Sequence, residues 1–290
     1  MVTSRLRFST IVRRATLLAA SCISAACLIP TNSWAADAAP AGTPAPTATP
    51  AGPTSASLRQ PIRIVCIGDS ITQGRRGDEV KGGKVKMVYS YRYPLWKMFV
   101  DADIPVDFVG SMKEAFDHDL FKGDPDWADY KGKTFPRACE GHWGWTTQGV
   151  ADKLPGWIKD YTPDIALTLL GTNDMKEKEK SSLEPTLAAH RSLVAILRAK
   201  NPKVVILIGE PYEEWQPYPR LCTALAALAK ELSTPESPVV AVEHAKGWVS
   251  KPDLPDTCTV DWEHPNQKGD MMLAKDWFEA LQPFLKKAAK

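Results

Sequence analysis

The chain has 290 residues, of which 36 are Lys or Arg and 34 are Asp or Glu, so its formal net charge is +2 at pH 7. Mixed charges without a strong basic excess do not provide the electrostatic surface that a nucleic-acid-binding protein uses, and we expect no nucleic-acid partner. Hydrophobic residues make up 44% of the chain, which is enough for a substantial core at this length.

Residues 1–35 are typical of a secretory signal peptide. Arginines precede an apolar segment at 15–29, and Ser33-Trp34-Ala35 stands before Ala36, so we predict cleavage after Ala35. The apolar segment is short and rich in Ala and Ser, which disfavours a membrane anchor. Lipidation at Cys22 or Cys27 is a minor alternative. We therefore predict a secreted or periplasmic protein with no membrane span after cleavage.

Residues 36–58 consist almost entirely of Ala, Pro, Thr, Gly and Ser. Such a composition cannot bury enough apolar surface to offset the entropy of ordering the chain. We predict a disordered linker at 36–58, followed by a single folded domain at 59–290.

The folded domain begins with an apolar, β-branched segment at 62–67 that ends at Gly68-Asp69-Ser70. This pattern predicts a buried strand with a serine hydroxyl at its carboxyl end. Open parallel sheets bind their ligands at the carboxyl ends of strands, so Ser70 is a candidate nucleophile. Because Gly, Asp and Ser also favour plain turns, the assignment depends on residues further along the chain.

Strands and helices alternate through the rest of the domain. Strands are predicted at 106–111, 165–170, 204–208 and 239–242, and helices at 90–101, 150–161, 183–197, 221–232 and 273–285. Continuous apolar strands that alternate with helices form a parallel sheet covered on both faces. We predict an α/β fold, a three-layer α/β/α sandwich with a five-stranded parallel sheet.

Two stretches interrupt this regular pattern. Pro155-Gly156 indicates a break in the helix at 150–161. The polar stretch at 113–140 is too long for an ordinary connection and indicates a lid or a wall of the site.

Asp261 and His264 lie between the fifth predicted strand and the last predicted helix. At this spacing a turn lets the carboxylate accept a hydrogen bond from Nδ1 of the imidazole, which leaves Nε2 free to take a proton from a serine. If Pro265 begins the helix, the helix dipole also opposes protonation of His264.

Acyl transfer further needs N–H donors aimed at the developing oxyanion. Asn173, at the end of the third predicted strand, offers a side-chain amide. Gly144 has no side chain, so its backbone N–H can come close to the substrate. Gly141 nearby is an alternative to Gly144. The N–H of Ser70 is the third donor.

These motifs together resemble the SGNH hydrolases, also called the GDSL esterase family. The resemblance covers the chain from residue 62 to the last helix, and the motifs occur in the family's order. They are Gly68-Asp69-Ser70, Gly144, the Gly171-x-Asn173-Asp174 block and the Asp261-x-x-His264 block.

The resemblance implies a flavodoxin-like sandwich in which Ser70 is the nucleophile and His264 and Asp261 complete the catalytic triad. It places Ser70, Gly144 and Asn173 in the oxyanion hole. The family's nickname has leucine where this chain has Ile71, a conservative change. An α/β-hydrolase is disfavoured, because Ser70 does not lie in a Gly-x-Ser-x-Gly elbow.

Within the family, segments 91–96, 107–111 and 140–145 look most like carbohydrate esterases, including acetyl xylan esterases. The chain has ten tryptophans, and several lie in loops at the carboxyl edge of the sheet, where flat rings stack on sugars. The candidate substrate-binding residues are Trp143, Trp145, Trp215 and Trp262. Core packing is predicted for Trp96, Trp157 and Trp277.

We therefore predict an exported serine esterase that removes small acyl groups, with acetyl favoured, from a carbohydrate. Its partner is a small-molecule or polysaccharide ester, and it needs no cofactor or metal. His118 lies in a solvated loop rather than a metal site, since no cluster at ligand spacing accompanies it. The alternatives are a lipase, lysophospholipase or thioesterase for longer chains, and a non-catalytic glycan-binding protein on the same fold.

The sequence also predicts where most of the other His and Cys residues lie. Cys66 is predicted to be a buried free thiol, and His190 a core residue. Cys222 and Cys258 follow neighbouring strands and are predicted to form a disulfide. His142 and His244 are predicted to line the pocket without acting as a base.

Overall fold

The computed structural model describes residues 60–76, 88–113, 127–176 and 183–288. The predicted signal peptide at 1–35, the linker at 36–58 and His118 lie outside the described residues, so these predictions stay predictions. Within the described part, no helix is long and apolar enough to cross a bilayer.

The strands are, in chain order, β1 (Ile62–Gly68), β2 (Arg75–Arg76), β3 (Val88–Tyr89), β4 (Val106–Val109), β5 (Glu140–Gly141), β6 (Ile165–Leu169), β7 (Val205–Gly209) and β8 (Val239–Val242). Five of them form a parallel sheet in the order β4-β1-β6-β7-β8. This confirms the predicted five-stranded sheet. In addition, the short strand β5 pairs with the carboxyl end of β1, and β2 pairs with β3 separately.

Helices cover both faces of the sheet, as predicted. They are α1 (Ser70–Gln73), α2 (Arg92–Asp101), α3 (Thr147–Trp157), α4 (Thr172–Met175), α5 (Leu183–Lys200), α6 (Tyr218–Leu232) and α7 (Gln267–Ala288). Alternate residues of β1 point to opposite faces: Ile64 and Cys66 pack with α2 and α7, whereas Val65 and Ile67 pack with α3, α5 and α6. The result is one core on each side of the sheet.

The predicted helix break at Pro155-Gly156 is wrong. α3 runs through both residues to Trp157 and continues as a 3-10 turn, Ile158–Asp160. Pro155 and Gly156 are exposed, while Leu154 and Ile158 are buried against the core. Burial of this apolar face keeps the chain helical although the proline removes one helix hydrogen bond.

Residues 127–139, the described end of the long polar stretch, pack beside α2. The buried rings of Trp127 and Phe135 lie 5.1 Å apart, and Phe135 lies 5.5 Å from Trp96. This part of the stretch is therefore a side wall of the core. Residues 114–126 lie outside the described residues, so the prediction of a lid stays a prediction.

Cys66 and His190 are buried, as predicted. Burial raises the pKa of the Cys66 thiol to about 12. Burial also lowers the pKa of His190 to about 4, partly opposed by a hydrogen bond to the backbone of Leu170, so this imidazole is neutral at pH 7.

The predicted disulfide between Cys222 and Cys258 is wrong, because both cysteines are free. Cys222 lies on α6, where its Sγ contacts the carbonyl of Pro211 at 3.1 Å. Cys258 is buried in the core on the opposite face, with its Sγ 3.5 Å from the sulfur of Met272. The sheet lies between the two cysteines, and adjacency of the preceding strands does not bring them together.

Candidate active site

Ser70 is the first residue of α1 and follows β1 after a single intervening residue, Asp69. The Asp69 side chain caps the helix, since its Oδ1 accepts a hydrogen bond from the Ile71 N–H at 3.0 Å. This tight connection needs Gly68, because a Cβ there would lie 2.1 Å from Oγ1 of Thr72. The local sequence thus holds the candidate nucleophile at the carboxyl end of β1.

Ser70, His264 and Asp261 form one hydrogen-bonded series. His264 Nε2 lies 2.9 Å from Ser70 Oγ, and His264 Nδ1 lies 2.8 Å from Oδ2 of Asp261. The other carboxylate oxygen of Asp261 accepts the His264 backbone N–H at 2.7 Å. With the proton on Nδ1, this arrangement leaves Nε2 as the acceptor for the serine hydroxyl proton.

The segment before α7 turns back on itself to present His264. The Val260 N–H donates to the His264 carbonyl at 2.9 Å, which closes the turn. α7 begins at Gln267, so Pro265 lies before the helix and not at its first position. Asn266 caps this helix instead, with its Oδ1 accepting the N–H of Lys268 and Gly269. A helix that starts at Pro265, on which the expected dipole effect on His264 depended, is therefore not present.

Gly144 lies in a tight turn that follows β5. The Trp145 N–H donates to the His142 carbonyl at 3.2 Å, and Gly144 has a φ of +76°. A positive φ at this position of a turn favours glycine. A Cβ on Gly144 would meet no atom within 4 Å, so the requirement for glycine here is one of backbone conformation.

Gly141, the alternative to Gly144, has a different surrounding. A Cβ on Gly141 would lie 2.3 Å from the backbone nitrogen of Gln73, so glycine is needed where β5 packs on α1. The Gly141 N–H already donates to Sγ of Cys139 at 3.4 Å.

Asn173 lies in α4, directly after β6. Its Nδ2 donates to Asp69 Oδ2 at 3.2 Å and to the Trp145 carbonyl at 3.0 Å. Its Oδ1 accepts a hydrogen bond from Lys176 Nζ at 2.8 Å. Two acceptors on the nitrogen side and one donor on the oxygen side fix the orientation of the amide.

Trp143 covers one face of His264. The two ring centroids are 4.7 Å apart and the ring planes differ by 14°. The backbone N–H of Trp143 donates a hydrogen bond to Oε1 of Gln73 at 2.8 Å, which links the turn to the end of α1. Buried Arg92 in turn donates to the carbonyls of Thr72 and Gln73.

Trp145 lies behind this turn, half-buried between His142 at 5.2 Å and Trp157 at 5.4 Å. His142 stacks on Trp157, and its Nε2 lies 3.1 Å from buried Glu140. His244 does not line the pocket as predicted. It is fully buried and lies 3.0 Å from Asp276 on α7.

Trp215 and Trp262 form the exposed aromatic walls of a cleft next to Asp261. Their side chains are 42% and 49% exposed, and their rings meet edge to face at 6.4 Å. The cleft has a volume of ≈ 280 Å³. Its other lining residues include Met175, Lys176, Glu213 and Glu263.

Two buried carboxyl groups lie near the candidate nucleophile. Burial raises the pKa of Asp69 to about 7, partly opposed by the hydrogen bond from Ile71. Burial raises the pKa of Glu213 to about 8. Weak hydrogen bonds from its own backbone and from the side chain of Thr172 partly oppose this rise. Neither Glu213 oxygen makes a hydrogen bond of ordinary geometry to a described residue. Glu213 is therefore largely neutral at pH 7.

For four residues of the site, no motif in the sequence marks a role of their own: Asp69, Gln73, Lys176 and Glu213. Asp69 was visible only as part of a turn, and Gln73 only as a polar residue near the nucleophile. Lys176 follows Asn173 by three residues, a spacing that places side chains together on a helix, and this was the available signal. The described residues contain no group of three or more His, Cys, Asp or Glu that could hold a metal ion.

Residues 66–271 match the profile of the GDSL-like Lipase/Acylhydrolase family. A solved carbohydrate esterase family 3 protein from Talaromyces cellulolyticus is 26% identical, with a TM-score of 0.61 over 78% of this chain and 99% of that chain. A Clostridium thermocellum family 3 carbohydrate esterase shares the fold, with 21% identity and a TM-score of 0.60 over 80% of this chain and 100% of that chain.

A curated relative is described as a multidomain esterase from Ruminococcus flavefaciens. It is 28% identical over 254 residues, which are 82% of this chain but 30% of that protein. This chain thus spans less than a third of the curated relative that it matches. The family profile, by contrast, covers well over half of this chain, and on that ground the chain belongs to the GDSL-like lipase/acylhydrolase family.

Proposed function

We propose that this protein is an exported serine esterase that hydrolyses small acyl esters, acetyl esters above all, on a carbohydrate. The observation that carries the proposal is the hydrogen-bonded series of Ser70, His264 and Asp261, with distances of 2.9 and 2.8 Å. Family membership supports ester hydrolysis as the reaction class. Export is supported by the signal-peptide pattern at 1–35.

In the proposed reaction Ser70 Oγ attacks the ester carbonyl carbon while His264 Nε2 takes the hydroxyl proton. Asp261 stabilises the imidazolium that forms. The tetrahedral intermediate collapses, His264 gives the proton to the leaving alcohol oxygen, and an acyl-serine remains. A water molecule, deprotonated by His264, then attacks the acyl carbon and releases the acid and free Ser70.

The oxyanion receives hydrogen bonds from the N–H groups of Ser70 and Gly144 and from Nδ2 of Asn173. The Ser70 N–H belongs to the first residue of α1, where helix N–H groups lack a partner within the helix. Gly144 is favoured over Gly141 because the Gly141 N–H is already bonded to Cys139. Asn173 Nδ2 donates to Asp69 at 3.2 Å and to the Trp145 carbonyl at 3.0 Å. The hydrogen in the longer bond, to Asp69, would be shared with the oxyanion.

Two observations support a small acyl group on a sugar. The aromatic walls of Trp215 and Trp262 suit stacking against a sugar ring, and the cleft volume of ≈ 280 Å³ suits one ring better than a long chain. In addition, a serine-to-alanine variant of an acetyl esterase was solved with an acetate ion. That protein is 26% identical, with a TM-score of 0.61 over 78% of this chain and 99% of that chain.

The test is a hydrolysis panel with p-nitrophenyl acetate, butyrate and octanoate, together with acetylated xylan and peracetylated xylose. Ser70→Ala is the control for background hydrolysis. We expect kcat/KM to fall steeply from acetyl to octanoyl and acetate to be released from the acetylated sugars. A maximum at octanoyl would replace the proposal with a lipase or thioesterase. Binding of acetylated xylan without turnover of any ester would replace it with a non-catalytic glycan-binding protein.

A further inference from the structure

Lys176, the residue that follows α4, bridges two parts of the site. Its Nζ donates to Oδ1 of Asn173 at 2.8 Å and lies 2.7 Å from Oε1 of Glu263. Glu263 directly precedes His264 in the chain. One ammonium group therefore connects the candidate oxyanion donor to the segment that carries the candidate base.

The hydrogen bond from Lys176 is made to the side of the Asn173 amide that faces away from its donor hydrogens. A cation bonded to the amide oxygen withdraws electron density from the amide, which makes the Nδ2 hydrogens better donors. The same bond opposes rotation of the amide, because a flipped amide would present its NH₂ group to an ammonium group. Lys176 thus acts on both the orientation and the donor strength of Asn173.

The charge of Lys176 also reaches the surroundings of the nucleophile. It lowers the pKa of Asp69, against the larger effect of burial that raises it. Asp69 adjoins Ser70 in the chain and accepts a hydrogen bond from Asn173. Through its bond to Asn173, the same ammonium group is separated by one amide from the Nδ2 hydrogens that would face the substrate carbonyl oxygen.

We propose that Lys176 is a positioning residue for ester hydrolysis, which holds and polarises the Asn173 amide for the oxyanion while its pair with Glu263 keeps it in place. This inference rests on the proposed function. An exposed ion pair alone contributes little to stability, and the Lys176 side chain is 45% exposed. The proposed role therefore depends on the bond to Asn173, and the experiment must isolate that bond.

The experiment is a double-mutant cycle with p-nitrophenyl acetate, whose leaving group is not a sugar. Lys176→Met and Asn173→Ala are made singly and together, with melting temperatures as the check of folding. We expect Asn173→Ala to lower kcat by roughly 100- to 1,000-fold, as for other oxyanion donors. Lys176→Met should lower kcat by roughly tenfold, equivalent to about 1.4 kcal/mol, with little change in KM.

In the Asn173→Ala background, Lys176→Met should cause little further loss, because its route of action has been removed. Lys176→Arg, which keeps the charge and a donor, should retain more activity than Lys176→Met. The matched control is Lys275→Met, since Lys275 is an exposed lysine that pairs with Glu279 on α7, outside the site. It should keep the wild-type kcat.

An undiminished kcat in Lys176→Met would overturn the inference, and so would the same tenfold loss in both backgrounds. A loss confined to KM would also overturn it, since Lys176 lines the cleft and would then act by contact with the substrate. These outcomes differ from failure of the proposed function, in which the wild-type protein itself hydrolyses no ester and no cycle can be measured.

Discussion

The indole of Trp143 lies flat against the imidazole of His264, with ring centroids 4.7 Å apart and ring planes that differ by 14°. His264 is thus held at one face by a ring and at its two nitrogens by Ser70 and Asp261. An indole face also attracts a cation, so the contact favours the imidazolium that forms during the proposed reaction.

Replacement of Trp143 by alanine should therefore slow acyl transfer. Aromatic contacts of this kind contribute about 0.5–1.5 kcal/mol, so we expect kcat to fall by up to about tenfold. Trp143→Phe keeps a ring over His264 and should lose less. Steady-state kinetics with p-nitrophenyl acetate make the comparison. If the alanine and phenylalanine variants both match the wild type, the stacked contact has no role in the reaction.

Ser70→Ala and His264→Ala should each remove nearly all turnover while the fold remains intact. The double variant should be little worse than either single variant, because a nucleophile and its base act as one unit. Hydrolysis rates are compared with circular dichroism and melting temperatures of the same preparations. Normal activity in Ser70→Ala would end the proposal of a serine nucleophile.

Glu213 should make the protein less stable as pH rises. Its pKa is raised from 4.5 to about 8 by burial, so between these values the folded state binds more protons than the unfolded state. Stability conferred by the protonated Glu213 is thus complete at low pH, declines from about pH 4.5 to about pH 8 and stays level above that.

Glu213→Gln, which is neutral at every pH, should lack this contribution to the decline. Urea unfolding of both proteins from pH 5 to pH 9 measures the difference. We expect the variant to gain stability relative to the wild type as pH rises, with the gain levelling off above about pH 8. A constant difference across the range would show that Glu213 ionises normally in the folded protein.

Trp215→Ala and Trp262→Ala should weaken binding of an acetylated sugar without affecting a simple ester. Both rings are exposed walls of the cleft beside Asp261, and neither forms part of the hydrogen-bonded series. We expect KM to rise several-fold for acetylated xylo-oligosaccharides, roughly 1 kcal/mol for each stacking contact. The kinetics of p-nitrophenyl acetate serve as the internal control. An equal change for both substrates would assign the rings to structural packing.

Most of the fold could be predicted from the sequence, because it follows from local patterns. The apolar strand at 62–67 and the later strands that alternate with helices required a parallel sheet with a core on each side, and the structure has it. The continuation of α3 through Pro155 was not predictable from local rules, since burial of Leu154 and Ile158 outweighs the hydrogen bond that proline removes.

The sequence by itself determined where the chemistry-bearing side chains would lie: Ser70 and Asn173 each follow a strand whose carboxyl end is set by the sheet. It also determined the Asp261 to His264 contact, because residues three apart can meet through one turn. Only the tertiary structure decided the contacts between distant segments, such as Lys176 with Glu263 and Trp143 with Gln73. Such pairs depend on where loops fold back over the sheet. The raised pKa of Glu213 likewise results from burial in the folded domain. This burial cannot be read from the residues next to Glu213 in the sequence.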